Sequence, residues 1–406
     1  MSIISSRLPQ RILGFLITAL LISFGSLQAL ASPATGQPPL TFKVYQPQIV
    51  KSAVDLRWVS GYYVGYQRDL YPVDEVDFSA ITHLIVGRIR PASDGSVITD
   101  FDIDPVSGPA MARALSTRAH QNNRKAILML GGAGEHDGFV AASQPARRPA
   151  FVQNLLATMD DLGYDGIDVD WEPILASDRP LLLALLQDLR AARPGMLLTI
   201  PVGWVNANFP GDVDAYYAQL AGLVNQINIM SYDMAGNWDG WESWHSAALS
   251  GHSPNRPSSI ETSVNSYLAV GVPAGKLGIG IGFYGSCWRG VTGPGQPIDG
   301  GVSMGESDNA MSYANIMQQY YQPAARTFDS AAQVPYLSSA AGLGPQDCNF
   351  ISYEDAESIA AKGAYVRSKG LGGTIIWTIG EGHIATAPAG SRDPLLVAVR
   401  QAFLQP

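Results

Sequence analysis

The sequence predicts an α/β fold: a (β/α)8 TIM barrel with a small α+β insertion between strands 7 and 8. Three observations lead there. Short apolar runs alternate with helix-like segments, the pattern of a parallel sheet wrapped by its own crossover helices. The runs number eight and most are near-continuous rather than alternating, as expected of strands covered on both faces. One connection, between the seventh and eighth runs, is far too long for a simple crossover.

The chain opens with Arg7 and Arg11 ahead of ILGFLITALLISF, followed by ALA at 29–31. A short basic region, a short apolar core and small residues at a cut site mark a secretory leader. Residues 1–31 are therefore expected to be a signal peptide, cleaved after Ala31. The apolar run is too short to span a bilayer comfortably, and no later run reaches its length. The mature protein is expected to be secreted, extracellular or periplasmic in a Gram-negative cell, with no membrane attachment. Residues 32–50, rich in Pro, Gly, Thr and Gln, read as a lead-in.

The first part of the barrel is expected over 51–284 and the last over 351–406. The candidate strands are RWVSGYYVGY (57–66), ITHLIVGRI (81–89), KAILMLGG (125–132) and YDGIDVDW (164–171). They continue with MLLTIPVG (196–203), QINIMSYD (226–233), KLGIGIGFYG (276–285) and GGTIIWTI (372–379). Between them, PAFVQNLLATMDDLG (149–163) and RPLLLALLQDLRAARPG (179–195) are amphipathic and end at Gly or Pro-Gly. SSIETSVNSYLAVG (258–271) places Ser258 and Glu261 in capping-box spacing and closes on Gly271. EDAESIAAKGAYVRSKG (354–370) ends in Lys369-Gly370.

The long connection, 285–350, holds a helical SYANIMQQYYQ (312–322) and a strand-like AQVPYLSS (332–339). It reads as a small subdomain on the barrel rim, walling one side of a cleft. Cys287 and Cys348 are the two cysteines of the chain. In an exported protein they can pair, worth on the order of 4 kcal/mol by chain entropy; the alternative is two buried thiols. Their spacing suits neither a metal nor a nucleophile.

Acidic residues outnumber basic ones, 35 to 26, for a formal net charge of -9. That balance gives no drive toward nucleic acid or anionic membrane and suits an uncharged partner. A monomer is expected.

The stretch YDGIDVDWEP (164–173) carries four acids among Ile, Val and Trp. Side chains alternate faces along a strand. Ile167, Val169 and Trp171 share the face toward the outer helices. Gly166, Asp168, Asp170 and Glu172 share the face toward the barrel interior, with Glu172 at the C-terminal end, where barrel active sites lie. Successive inward carboxylates stand ~7 Å apart, so they cannot all ionise and protons are retained. Glu172 is the candidate general acid. Asp170 can hydrogen-bond it, and Asp168 can share a proton with Asp170. Three acids can also hold a divalent cation, but no His accompanies them; neither metal nor cofactor is expected. A purely structural acid cluster is too costly to bury without a task.

DGIDVDWE resembles the D-x-x-D-x-D-x-E signature of the family 18 glycoside hydrolases, the chitinases and their relatives. INIMSYD resembles that family's sixth strand, GGTIIW its eighth and GYYVGY its first. The resemblance implies that Met230, Tyr232 and Asp233 face the sugar, that Trp377 floors the cleaved-sugar subsite and that Tyr62 lines it. GVPAGKLGIGIGFYG and YEDAESIAAKGAYVRSKGLGG also read like family text, and 285–350 falls where many members carry an α+β insertion. Two positions depart. The third strand reads Met129-Leu130-Gly131-Gly132 where the family reads S-x-G-G, so Asp168 lacks its usual Ser partner. Arg88 in IVGRIRP stands near the place of an aromatic.

A retaining glycosidase with its own nucleophile needs two carboxylates ~5 Å apart on opposite sides of the bond. Here all the acids rise from one strand. The resemblance implies substrate assistance: the sugar's N-acetyl oxygen attacks its own anomeric carbon. Glu172 protonates the leaving oxygen and then activates water, while Asp170 and Tyr232 orient the acetamido group. The implied partner is chitin or N-acetylglucosamine oligosaccharides. An endo-N-acetylglucosaminidase acting on glycans and a chitooligosaccharide-binding lectin of the same fold are the alternatives. Trp238, Trp241 and Trp244 follow the sixth strand at loop positions, where exposed Trp can stack on sugar rings.

Overall fold

The computed structural model describes residues 57–405. The leader at 1–31 and the lead-in at 32–50 lie outside the described residues. All eight apolar runs form strands: β1 Trp58–Val64, β2 His83–Pro91, β3 Lys125–Gly131 and β4 Gly166–Asp170. The series continues with β5 Leu197–Gly203, β6 Gln226–Met230, β7 Leu277–Gly282 and β8 Gly373–Trp377. Every neighbour pairs in parallel, and β1 pairs with both β2 and β8, which closes the barrel.

The main core lies between strands and outer helices. Ile167, Val169 and Trp171 of the β4 segment are buried on that side, and Trp171 stacks on Phe139 at 4.7 Å between centroids. The helix Arg179–Ala192 answers with Leu182, Leu185, Leu186 and Leu189 at helical spacing. The helix Arg148–Leu162 stops where Gly163 takes a left-handed conformation, φ 73°.

One cap differs from the sequence expectation. The helix Ile260–Ala269 is capped by Ser259, whose hydroxyl accepts from the Thr262 N–H. Ser258 instead turns inward and donates to the Met234 carbonyl, so its hydroxyl is spent on the loop after β6. The helix Ala356–Lys369 has its capping box at Asp355 and Ser358 and ends on left-handed Gly370.

A second, antiparallel sheet of five strands lies between β7 and β8. Its order is Ser303–Met304, Ser286–Arg289, Cys348–Ser352, Val334–Leu343 and Arg326–Asp329. It has its own apolar core, including Trp244, Trp288, Val334 and Phe350. Cys287 and Cys348 are disulfide-bonded between its second and third strands, Cα atoms 5.3 Å apart, within the usual span of such a bridge. Among the described residues no helix is long and apolar enough to cross a membrane.

Candidate active site

The inner face of β4 begins at Gly166, where a Cβ would lie 2.0 Å from the Leu197 carbonyl; only glycine lets β4 and β5 approach there. Beyond it the three acids climb toward the open end. Asp168 and Asp170 are buried and Glu172 is half-buried.

Asp168 is held from two other strands. The Tyr62 hydroxyl on β1 donates to it at 2.6 Å, and the Thr199 hydroxyl on β5 donates to its other oxygen. Thr199 takes the place of the missing Ser on β3, where Met129 packs instead. The signal for Thr199 was a lone hydroxyl inside an apolar strand, directly across from Asp168 in register. Burial pushes Asp168 up to about 6, with the Glu172 charge adding to it and the Thr199 and Tyr62 hydrogen bonds opposing it.

Asp168 thus has a hydroxyl donor on each of its carboxyl oxygens. Asp170 hydrogen-bonds Glu172. Burial, then the charges of Glu172 and Asp168, raise Asp170 well above the usual carboxylate range, against the nearby Arg88. Burial also raises Glu172, while the Asp170 bond and the Ala133 N–H pull it down. Two carboxylates bonded to each other share a proton and titrate as a unit. The second Asp170 oxygen, Oδ1, is buried without a hydrogen-bond partner among the described residues.

A cavity of about 180 Å³ opens over this pair, lined by Tyr62, Asp170, Glu172, Pro201, Met230, Tyr232, Asp233, Tyr284 and Trp377. The structure thus gathers Tyr62, Met230, Tyr232, Asp233 and Trp377 around the Asp170–Glu172 pair, with Asp168 beneath them. Trp377 and Tyr62 lie 5.2 Å apart, ring to ring. Tyr284 escaped the sequence reading; its hydroxyl donates to Asp233 at 2.7 Å. Two further cavities meet the first at Glu172. One, about 240 Å³, is lined by Arg88, Met129, Gly132 and Trp377. The other, about 420 Å³, is lined by Pro173, Arg179, Trp204 and Tyr217.

The loop tryptophans divide. Trp238 and Trp241 cluster with Trp204, with centroids 4.7 to 6.3 Å apart, and Trp238 stays 41% exposed. Trp244 is core: it is buried, and its Nε1–H donates to the Ser258 carbonyl at 3.0 Å. Trp204 was legible as an aromatic just past the end of β5, but only the fold brings it to the loop after β6. Asp165, off the inner face, is a staple at the strand's start. It accepts from Lys125 Nζ at 2.8 Å and the Ala126 N–H at 2.9 Å, and pairs with His120 Nε2 at 2.8 Å. No group of three or more His, Cys, Asp or Glu suited to hold a metal occurs among the described residues.

The model of "Glycosyl hydrolases family 18" matches residues 59–382. Chitinase 1 of Aphanocladium album is 27% identical over 339 residues, covering 77% of this chain and 78% of that protein. Chitinase A1 of Niallia circulans is 31% identical over 290 residues; the match spans 63% of this chain but 40% of that longer protein. The crystal structure of Ostrinia furnacalis Group IV chitinase in complex with allosamidin superposes with a TM-score of 0.72 at 26% identity. That superposition covers 86% of this chain and 99% of the other. With the barrel, the acid row and a family match spanning most of its length, the chain belongs to family 18 of the glycosyl hydrolases.

Proposed function

We propose that the protein is a secreted chitinase that hydrolyses β-1,4 bonds between N-acetylglucosamine units by a retaining, substrate-assisted mechanism. One observation carries the mechanism: the acids that can act on a bond rise from one face of one strand. Asp233 also lines the cavity, but it accepts the Tyr284 hydroxyl and burial raises its proton affinity, a poor setting for a nucleophile. The nucleophile must then come with the substrate, and a 2-acetamido oxygen supplies it.

In this reading the sugar to be cleaved rests on Trp377 and Tyr62. The unpartnered Oδ1 of Asp170 accepts the acetamido N–H, and the Tyr232 hydroxyl donates to the acetamido oxygen. Protonated Glu172 delivers its proton to the glycosidic oxygen as the acetamido oxygen attacks the anomeric carbon. The Glu172 carboxylate then takes a proton from water, which opens the cyclic intermediate with net retention. Asp168, anchored by Tyr62 and Thr199, raises the proton affinity of Asp170 through its charge. The Trp204, Trp238 and Trp241 cluster offers a stacking platform for sugars beyond the cleaved bond. The 285–350 subdomain walls the cleft, and the protein acts as a monomer after export.

Parallel assays on chitin oligomers and on a high-mannose glycoprotein test the substrate class. Cleavage of the oligomers alone is expected. Preferred release of the glycan would move the assignment to an endo-N-acetylglucosaminidase, and tight oligomer binding without turnover would make the protein a lectin.

A further inference from the structure

Arg88 occupies the C-terminal half of β2 and is committed in several directions. Its Nε–H donates to Asp102 Oδ2 at 2.9 Å and an Nη2–H donates to Asp102 Oδ1 at 3.4 Å. Its Nη1 donates to the Ala133 carbonyl at 3.1 Å and lies 3.5 Å from Glu135 Oε1. It therefore grips the loop after β3. That loop reaches the acid pair from its other side. The Ala133 N–H lies close enough to the Glu172 carboxyl to lower its proton affinity, and the Gly132 N–H donates to the Asp170 carbonyl at 2.7 Å. A Cβ on Gly132 would lie 3.6 Å from Asp170 Oδ2 and 3.7 Å from Arg88 Nη1, so cation and carboxylate flank one small space.

We propose that Arg88 is a positioning residue for the acid pair: it ties the loop after β3 to β2 and, facing the Asp170 carboxylate across the space beside Gly132, biases the shared proton toward Glu172. This rests on the reading of Glu172 as general acid. A nearby cation favours the ionised form of a carboxyl. Ionised Asp170 leaves the proton on Glu172, the form that can protonate a leaving group. The other groups facing the pair are Asp168 and Tyr62 below it, and Tyr232 and Asp233 across the cavity. Asp102 and Glu135 offset part of the Arg88 charge, so its influence is one of bias rather than of switching.

The test uses the full chain with R88M, which loses both ties and charge, R88Q, which loses the charge and keeps a polar side chain, and R88K, which keeps the charge. Two measurements are made: kinetics on chitin oligomers against pH, giving kcat and KM, and the Asp170 carboxyl titration by carbon-13 NMR. For R88M and R88Q, kcat at neutral pH is expected to fall about tenfold with KM little changed. Both limbs of the pH profile and the Asp170 titration should move up by roughly half a unit or more. R88K should return the profile to its wild-type position with part of the rate. If R88M fails to fold, R88Q and R88K still decide. A wild-type pH profile and Asp170 titration in the neutral variants would overturn the proposal. Absence of turnover in the wild-type protein would instead defeat the chitinase reading, and the NMR titration would still decide the role of Arg88.

Discussion

Glu172→Gln should lower kcat on chitin oligomers by about 10²–10⁴-fold and leave oligomer binding in place. The amide is close in shape to the carboxylic acid. Its oxygen can accept the Ala133 N–H and its NH2 can donate to Asp170, so the local hydrogen bonds survive. What it lacks is a proton to deliver and a carboxylate to receive one. The reaction loses both its acid and its base, since one group performs the two roles. Reducing-sugar release, with circular dichroism to confirm the fold, checks this. Wild-type turnover in the variant would remove Glu172 from the mechanism. In the unaltered protein, activity should decline as pH rises and the pair gives up its shared proton. Burial raises Glu172 above the usual glutamate range, so that decline sets in at higher pH than a solvated glutamate would give.

Lys362→Met should destabilise the fold by about 3–5 kcal/mol near neutral pH. Lys362 is fully buried in the helix Ala356–Lys369 and forms an ion pair with buried Glu354, which also accepts from the Ser358 hydroxyl at 2.6 Å. Burial pushes Lys362 down and Glu354 up even though they face each other. The pair is therefore a poor net source of stability, yet removing one member strands the other. In the variant, Glu354 must be buried as a bare carboxylate or take up a proton. Its folded-state affinity for a proton exceeds its unfolded one, so protonation favours the folded variant. The deficit is then smallest at low pH and grows as pH rises through the raised Glu354 value. Urea denaturation at acid and at mildly alkaline pH reads this directly. A further Glu354→Gln change should recover much of the loss. Equal stability of Lys362→Met and wild type at alkaline pH would contradict this account.

The barrel was legible because parallel strands covered on both faces must be written as apolar runs, and all eight of those runs became strands. Helices were less legible where small side chains do the packing. The helix Ser107–Gln121 buries Gly108, Ala112, Leu115, Ser116 and Ala119, a stripe too weak in apolar bulk to announce itself. The acid row could be read from a period of two, since alternation alone puts Asp168, Asp170 and Glu172 on one side. What anchors that row could not be read so directly. Thr199 meets Asp168 through the register between β4 and β5, and Tyr284 meets Asp233 across separate loops; one sequence does not encode such registers. The same gap explains the exchange of Ser258 for Ser259 and of Trp244 for Trp204. In each case the residue type was right for the task, and tertiary contacts decided which neighbour performed it. Asp165 was opaque for a related reason: its partners His120 and Lys125 come from a different turn of the barrel.

The central claim is that a one-sided carboxylate row takes its nucleophile from the substrate's own acetamido group. Proton NMR of the anomeric products during the first minutes of hydrolysis of a chitin oligomer tests it most directly. The account predicts that the new reducing end appears first as the β-anomer and only then mutarotates. Initial release of the α-anomer would show direct attack by water from the opposite face, and would contradict it.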